Sequence, residues 1–238
     1  MHVHVVSSVN EASSEQLQHR TTIVIDVLRA TSTIIAALAA GAAGVVPVET
    51  VMEARALQRE GDLLGGERFC RRIPGFELGN SPSEYTKELV LGRRILLTTT
   101  NGTRAIHKSL RSDHVLAGSL LNAEACAKSA LELRRDIVLL CSGSHDEFAI
   151  EDGLCAGLLL NHLTRLSSSS IDTDDFGTAM LSLYRHQAAS LLSTLLQGAT
   201  GKRLVKLGLR RDVEVCAAAD TCSVVPRLAG DTMICSLT

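Results

Sequence analysis

Hydrophobic residues occur along the chain in short continuous runs that alternate with longer segments of helical period. The run "TTIVIDV" (residues 21–27) is apolar and β-branched, which is typical of a strand buried on both faces of a sheet. The next segment, "RATSTIIAALAAG" (29–41), has hydroxyl side chains that can cap a helix and a glycine near its end. The two segments predict one strand–helix unit of an α/β fold.

The same alternation continues over most of the chain. Strand, polar turn and helix are predicted in this order within residues 93–110, 114–135 and 136–163. Strands that alternate with helices indicate an α/β fold with a mostly parallel sheet flanked by helices. Residues 1–238 are predicted to form a single domain, in which a polar break at 109–113 separates two candidate lobes, 1–110 and 111–238.

Four segments have weaker patterns. "HVHVV" (2–6) alternates in the manner of an edge strand. Pro47 predicts that "GVVPVE" (44–49) lies at an edge or a strand end, because proline donates no ladder hydrogen bond. Residues 174–197 predict one long helix, and residues 212–237 predict short strands around turns.

The composition restricts the class of protein. With 238 residues, a net charge of -2 and no run of Lys or Arg, the chain shows no nucleic-acid footprint. The seven cysteines include no C-x-x-C pair, so a disulfide framework or a structural zinc site is not expected. The longest apolar run (33–46) is too short to span a bilayer, and no signal peptide is visible. We therefore expect a cytoplasmic protein without nucleic-acid or membrane partners.

Polar side chains gather where the predicted strands end. Ligands of parallel α/β sheets bind beyond the carboxyl ends of the strands. The residues selected at four such ends are Asp26, Arg29, Thr31, Ser32, Glu67, Arg68, Thr100, Asn101, Gly102, Thr103, Arg104, Ser142 and Gly143. Their shared position favours one site for a small anion, although the turn "TTTNGTRA" taken alone is better explained as an ordinary helix cap.

Several acids in these segments have the chemistry of a Mg²⁺ site. Asp26 directly follows a buried strand. Burying a carboxylate there costs free energy of desolvation unless a cation or hydrogen-bond donors contact it. Mg²⁺ is usually held by a few carboxylates with water and phosphate. The predicted ligands are Asp26, Glu67, Glu151 and Asp152, and the arginines predicted to face the anion are Arg29, Arg68 and Arg104. The alternative for the last two acids is that they complement the dipole of the helix they begin.

Other chemical candidates are fewer. The irregular segment "LGGERFCRRIPGFELGNSPSEYT" (64–86) contains apolar anchors, so an ordered loop that shapes a site is expected. Cys141 follows a strand as in cysteine phosphatases, but Glu147 stands where an arginine would grip the phosphate, so we interpret Cys141 as a packing residue. His145 is kept as an acid/base candidate because it lies in a strand-end loop.

Four segments together resemble the 2-phosphosulfolactate phosphatase (ComB) family. They are "VIDVLRATST" (24–33), the segment 64–86, "TTTNGTRAI" (98–106) and "CSGSHDEFAIEDGLCAG" (141–157), and "VEVCAAADTCSVVPRL" (213–228) fits the C-terminal pattern. The resemblance implies a distinct α/β fold and Mg²⁺-dependent hydrolysis of (2R)-phospho-3-sulfolactate to phosphate and 3-sulfolactate, in a route towards coenzyme M.

The resemblance also implies that the segment 65–85 covers the site. It would bring in Glu67, Arg68, Asn80 and Ser81. The expected catalytic residues are then Asp26, Arg29, Glu67, Arg68 and Arg104, and the expected anion-binding residues are Thr31, Ser32, Asn80, Ser81, Thr100, Asn101, Gly102, Thr103, Ser142 and Gly143. For Asp26 we favour ligation over a role as base or nucleophile, because Leu28 stands where haloacid-dehalogenase-type hydrolases carry a second Asp.

Two other functions stay open at this point. The first is a phosphatase for another small 2-phospho-acid, and the second is a non-catalytic sensor of such anions. A small anionic phosphoester is the expected partner in every case, and a homodimer is an option that the sequence does not decide.

Overall fold

The computed structural model describes residues 1–235, and its strands follow the apolar runs of the sequence. The strands are β1 (His2–Val6), β2 (Thr21–Ile25), β3 (Gly44–Val48), β4 (Leu63–Arg68), β5 (Arg71–Arg72), β6 (Arg94–Thr98), β7 (His114–Gly118), β8 (Ile137–Cys141), β9 (Asp172–Thr173), β10 (Pro226–Ala229) and β11 (Thr232–Cys235). All five residues of β2, β3 and β8 are buried, as expected of strands covered on both faces.

The strands of the described residues form one sheet in the order β5-β4-β6-β3-β11-β10-β7-β2-β8-β1-β9. The pairs β4–β6, β6–β3, β7–β2, β2–β8, β8–β1 and β1–β9 are parallel. The antiparallel hairpin β10–β11 lies between β3 and β7 and joins the two parallel groups. The prediction of a mostly parallel α/β sheet is therefore confirmed.

Helices connect the strands and cover the sheet. They are α1 (Ser14–Leu17), α2 (Ala30–Ala39), α3 (Val51–Leu57), α4 (Lys87–Val90), α5 (Gly102–Lys108), α6 (Ala123–Glu132), α7 (Ile150–Leu166), α8 (Asp175–Gln187), α9 (Leu191–Gln197), α10 (Ala199–Lys206) and α11 (Arg210–Cys216). Within residues 1–235 no helix combines the length and the apolar character that crossing a bilayer requires.

Two large hydrophobic clusters lie on opposite faces of the sheet. Ile23 and Ile25 of β2 belong to the cluster that includes apolar side chains of α6, α7 and α9. Val24, between them, belongs to the cluster that includes residues of α2 and α5. This alternation follows from the two-residue period of a strand. Burial of each such side chain contributes about 1.5–3 kcal/mol, which anchors the strand ends that carry the polar residues.

The position of Pro47 differs from the prediction. The strand β3 lies inside the sheet, between β6 and β11, rather than at an edge. The proline is tolerated because β11 pairs with β3 only at Met233 and Val45, so the ladder on that side does not extend to residue 47. Likewise β1 lies next to the edge, which is formed by the two-residue strand β9.

Two helix assignments also differ. The helix predicted at 174–197 is broken, because a 3-10 turn at Ala188–Ser190 separates α8 from α9. There Gln187 accepts side-chain hydrogen bonds from Ser190 (2.7 Å) and Thr194 (3.0 Å), which compete with the helical pattern. Residues 212–216 are helical rather than extended, although the later strands β10 and β11 are present. The last predicted positions, 236 and 237, lie outside the described residues.

The irregular segment 64–86 is ordered by its apolar anchors, as expected. Ile73, Phe76, Leu78 and Tyr85 are buried. The segment begins in β4, turns into β5 and later forms a 3-10 turn at Pro82–Glu84. Strands of the two candidate lobes are not segregated, because β2 of the first lobe lies between β7 and β8, and β1 lies between β8 and β9.

Candidate active site

The carboxyl ends of β2, β4, β6 and β8 meet around one cavity of about 130 Å³. Nine of the residues selected from the sequence line it: Asp26, Arg29, Glu67, Asn80, Thr100, Asn101, Gly143, Glu151 and Asp152. The parallel direction of these strands places their following loops on the same side of the sheet. The convergence of segments that are far apart in sequence is the central observation about the site.

Asp26 lines the cavity and directly follows β2. Its Oδ1 accepts a hydrogen bond from the Ala30 backbone N–H at 3.1 Å. Burial raises the pKa of Asp26 to about 7, and the nearby negative charges of Glu67 and Glu151 add to the increase, while the Ala30 N–H opposes it. Asp26 therefore lies where a positive charge would be strongly stabilising.

Glu67 is held in one orientation by three donors. Its Oε1 accepts hydrogen bonds from the Thr100 N–H (2.9 Å) and the Thr100 hydroxyl (2.8 Å), and its Oε2 accepts one from the Cys70 N–H (2.7 Å). These bonds join the end of β4 to the loop after β6. A carboxylate fixed by three donors is well suited to present its remaining lone pairs to a cation.

Asp152 ties two loops together from the first turn of α7. Its Oδ1 accepts the Val27 N–H (2.9 Å) and its Oδ2 accepts the Gly143 N–H (3.0 Å). Gly143 has φ +72°, and an added Cβ would collide with the Glu147 carbonyl oxygen, so a glycine is required there. Burial raises the pKa of Asp152, with further increases from Asp26 and Glu151.

Glu151 is the fourth acid of the cavity and is buried as well. Burial raises its pKa, and a hydrogen bond from the Thr200 side chain lowers it. Acids that only complement a helix dipole normally stay in contact with solvent. The burial of Glu151 and Asp152 within the cavity wall indicates that they do more than this.

The four carboxylates have the chemistry that a hard divalent cation requires. They line one small cavity, and burial raises the pKa of Asp26, Glu151 and Asp152. When these carboxylates are ionised they repel one another in a space with little water, and a bound cation offsets this repulsion. The ligand atoms that these four acids offer are all carboxylate oxygens, and such a set suits Mg²⁺ better than a soft metal. The residues present therefore fit the metal implied by the sequence.

Two arginines reach the cavity, and one of them was not anticipated. Arg29 is buried and its guanidinium pairs with Asp212 and donates to the Cys70 carbonyl at 3.1 Å. Arg203, from α10, also lines the cavity, and its guanidinium lies 2.6 Å from His145 Nε2. His145 thus lies in the cavity wall, as its strand-end position suggested.

Sequence reasoning missed Thr200, Arg203 and Asp212. The segment "ATGKRLVK" resembles an ordinary surface helix, and Asp212 lies 183 residues from its partner Arg29. The i, i+3 spacing of Thr200 and Arg203, which places both on one helix face, was the only available signal.

Arg68 and Arg104 do not line the cavity. Arg68 donates to the carbonyl oxygens of Glu67 and Glu49 and to the Thr98 hydroxyl. Its guanidinium therefore connects the end of β4 to the ends of β3 and β6. Arg104 is partly exposed and pairs with Asp146 at 3.0 Å. In each case these acceptors hold the side chain away from the acids, and no contact among residues 1–235 supports the expected catalytic role.

The remaining selected residues stabilise the loops around the site. Their hydrogen bonds are local or structural: Thr31 with Asp26 backbone, Ser32 with Val27 O, Ser81 with Asp212, and Thr103 with Thr99. Ser142 is buried and its hydroxyl has no partner among the described residues. Gly102 packs against Ala30 and Asp26 so closely that a Cβ would collide with both.

Cys141 behaves as a packing residue. It is completely buried in the core cluster, and burial raises the pKa of its thiol well above the usual range. A thiol that stays protonated is a poor nucleophile. The structure thus agrees with the interpretation drawn from Glu147.

The fold and the site define an α/β enzyme with an acid-lined cavity at the carboxyl ends of parallel strands. A family model described as 2-phosphosulpholactate phosphatase matches residues 6–231. The chain belongs to this family of phosphoric monoester hydrolases, as the resemblance predicted.

Curated relatives agree with this membership. The chain is 42% identical over 222 residues to a probable 2-phosphosulfolactate phosphatase of Symbiobacterium thermophilum, covering 92% of this chain and 95% of the relative. It is 40% identical over 223 residues to one of Thermotoga petrophila, covering 94% and 95%. A third, of Clostridium acetobutylicum, is 38% identical over 231 residues, covering 95% and 97%.

Proposed function

We propose that the protein hydrolyses (2R)-phospho-3-sulfolactate to phosphate and (2R)-3-sulfolactate, in a route towards coenzyme M. The observation that carries this proposal is the convergence of four carboxylates and two arginines in one cavity. Phosphoryl transfer depends mainly on positioning and on neutralisation of charge at the phosphoryl oxygens. A cavity that combines fixed acids with guanidinium groups provides both when a divalent cation is bound.

Mg²⁺ is the cofactor that we propose for this site. Asp26, Glu67 and Glu151 would hold it, with Asp152 fixing the surrounding loops through its two backbone hydrogen bonds. When bound, the cation would supply charge neutralisation at the phosphoryl group and activation of water. We assign Asp26 to ligation, because it lines the same cavity as Glu67 and Glu151, the two other carboxylates that would hold the cation.

The protein groups bind and orient the ester. Arg29 is held in place by Asp212 and by the Cys70 carbonyl, so its guanidinium enters the cavity wall in one orientation. Such preorganisation avoids reordering of the side chain during reaction. Asn101 donates to the Gly143 carbonyl at 3.1 Å, and this bond links the loops after β6 and β8 in the cavity wall.

The test is phosphate release from purified protein with Mg²⁺ or with EDTA. We expect release from phosphosulfolactate with Mg²⁺ and loss of release with EDTA. Release from phospholactate but not from phosphosulfolactate would assign a different ester to the site. Tight binding of sulfolactate with no turnover of any ester would identify a sensor and overturn the proposed activity.

A further inference from the structure

The two arginines of the cavity differ in how their charges are balanced. Arg29 is neutralised by Asp212, and both side chains are at most 5% exposed. Arg203 forms no ion pair with a carboxylate among residues 1–235, and its guanidinium contacts His145 instead. Arg203 therefore brings to the cavity a guanidinium that forms no direct ion pair with a carboxylate of residues 1–235.

The helix α10 extends the site beyond the acids. Thr200 and Arg203 line the first cavity, and Lys206 and Leu207, one turn further, line a second cavity of about 490 Å³. These positions follow the i, i+3 and i, i+4 spacing of a single helix face. One face of α10 thus runs from the carboxylates, where Thr200 bonds Glu151, to the second cavity.

The second cavity adjoins the first and is basic. Arg29, Cys70 and Asn80 line both cavities, so the two spaces share a wall. The second cavity also presents Arg71, Arg72 and Lys206, with Glu84 as its acid. Glu84 accepts the Gly79 N–H at 2.6 Å, so one of its oxygens is already engaged within the loop. The site therefore has an acidic end and a basic end, and along α10 Arg203 lies between Thr200, which lines the first cavity, and Lys206, which lines the second.

We propose that Arg203 is the specificity-determining residue that binds the sulfonate of the substrate, an inference that rests on the proposed function. A sulfonate is fully ionised at neutral pH and cannot lower its desolvation cost by protonation, so it needs a cationic partner where it is buried. The planar guanidinium can donate two hydrogen bonds to two sulfonate oxygens. The phosphate then lies toward the carboxylates and their cation, and the sulfonate lies toward the basic end.

The test compares three phosphate esters by kcat/KM. They are phosphosulfolactate, phospholactate, which has the carboxylate but no sulfonate, and the phosphate ester of 2-hydroxyethanesulfonate, which has the sulfonate but no carboxylate. We expect Arg203→Met to lower kcat/KM about 10- to 100-fold for the two sulfonates, the range for a hydrogen bond to a charged group, and less than about threefold for phospholactate. Arg203→Lys should retain an intermediate preference.

Controls separate binding from a structural role. Lys202→Met removes an exposed cation from the same helix outside both cavities and should leave all three esters unaffected. His145→Ala removes the partner of Arg203 and should preserve the sulfonate preference. An equal loss on all three esters in Arg203→Met, an unchanged sulfonate preference, or a loss of this preference in His145→Ala would each overturn the inference.

A binding measurement keeps this test distinct from the test of the proposed activity. Absence of phosphate release from every ester would overturn the phosphatase assignment alone. Calorimetric titration with sulfolactate and with lactate would then decide the role of Arg203. Weaker binding of sulfolactate by Arg203→Met, with lactate binding unchanged, supports the sulfonate contact, and equal sulfolactate affinity in the variant and the wild type refutes it.

Discussion

The contact between Gly102 and Asp26 predicts that a single added methyl group will damage the site while largely sparing the fold. A Cβ at Gly102 would lie 2.7 Å from Asp26 Oδ2 and 3.3 Å from Asp26 Cβ, and still closer to the Ala30 Cβ. Ordinary van der Waals separation is about 3.5 Å, so Gly102→Ala must displace the Asp26 carboxylate by about 0.8 Å.

The stability cost of this change is small because two effects oppose each other. Overpacking costs about 1–3 kcal/mol, and replacing a helical glycine by alanine returns about 1 kcal/mol. The net loss of about 0–2 kcal/mol corresponds to a fall in Tm of roughly 0–8 °C for a chain of this size. A misplacement of about 1 Å in a catalytic group, in contrast, lowers activity about 100-fold.

The assay measures kcat/KM for phosphate release and Tm on the same preparations. Gly118→Ala is the matched control, because its Cβ would lie 2.6 Å from Ile23 Cγ2 in the core, away from the acids. It should lower Tm with little change in kcat/KM. Ala30→Gly combined with Gly102→Ala should recover stability but not activity, since the contact with Asp26 persists. Wild-type kcat/KM in Gly102→Ala would refute the placement of Asp26 at the reacting centre.

Other expected outcomes concern the charged groups. Asp26→Asn should lower kcat by about 1,000-fold or more, because a bound cation stabilises the transition state by several kcal/mol, and circular dichroism should show an intact fold, since the amide oxygen can still accept the Ala30 N–H. Asp212→Asn leaves the Arg29 guanidinium buried without its partner, so thermal melts should show a loss of roughly 6–20 °C, equivalent to about 3–5 kcal/mol. Arg104→Met should keep kcat/KM within about threefold of wild type, because this side chain pairs with Asp146 away from the cavity. In EDTA, Tm should fall as the pH rises from about 4 towards 7: the pKa of Asp26 is raised to about 7 in the folded state, so the folded protein binds more protons than the unfolded chain. Added Mg²⁺ should raise Tm more at pH 8 than at pH 5, because the cation replaces those protons.

Each of these outcomes has a contrary result that would change the interpretation. Full activity of Asp26→Asn would remove this carboxylate from the cation site. An unchanged Tm in Asp212→Asn would show that the buried Arg29 charge has another partner. A large loss of activity in Arg104→Met would restore the role that the sequence suggested. A Tm increment from Mg²⁺ that does not depend on pH would contradict ligation by groups whose pKa is raised.

The hydrophobic pattern by itself determined the strand–helix alternation and thus the α/β class. Buried strands such as β2 and β8 are continuous apolar runs, and the two-residue and 3.6-residue periods are local properties of the chain. The polar residues that directly follow these strands were also predictable, because the direction of parallel strands places their ends together. For this reason Asp26, Glu67 and Gly143 could be selected without coordinates.

Only the tertiary structure decided which charged side chains enter the cavity. Arg68 ends β4 and Arg29 follows β2, yet acceptors beside β4 turn Arg68 away while Asp212 and the Cys70 carbonyl hold Arg29 in the wall. Arg203 comes from a helix with no distinctive sequence pattern. A side chain's direction depends on acceptors that can come from any part of the chain, as Asp212 does for Arg29, and hydrophobic periodicity contains no information about them.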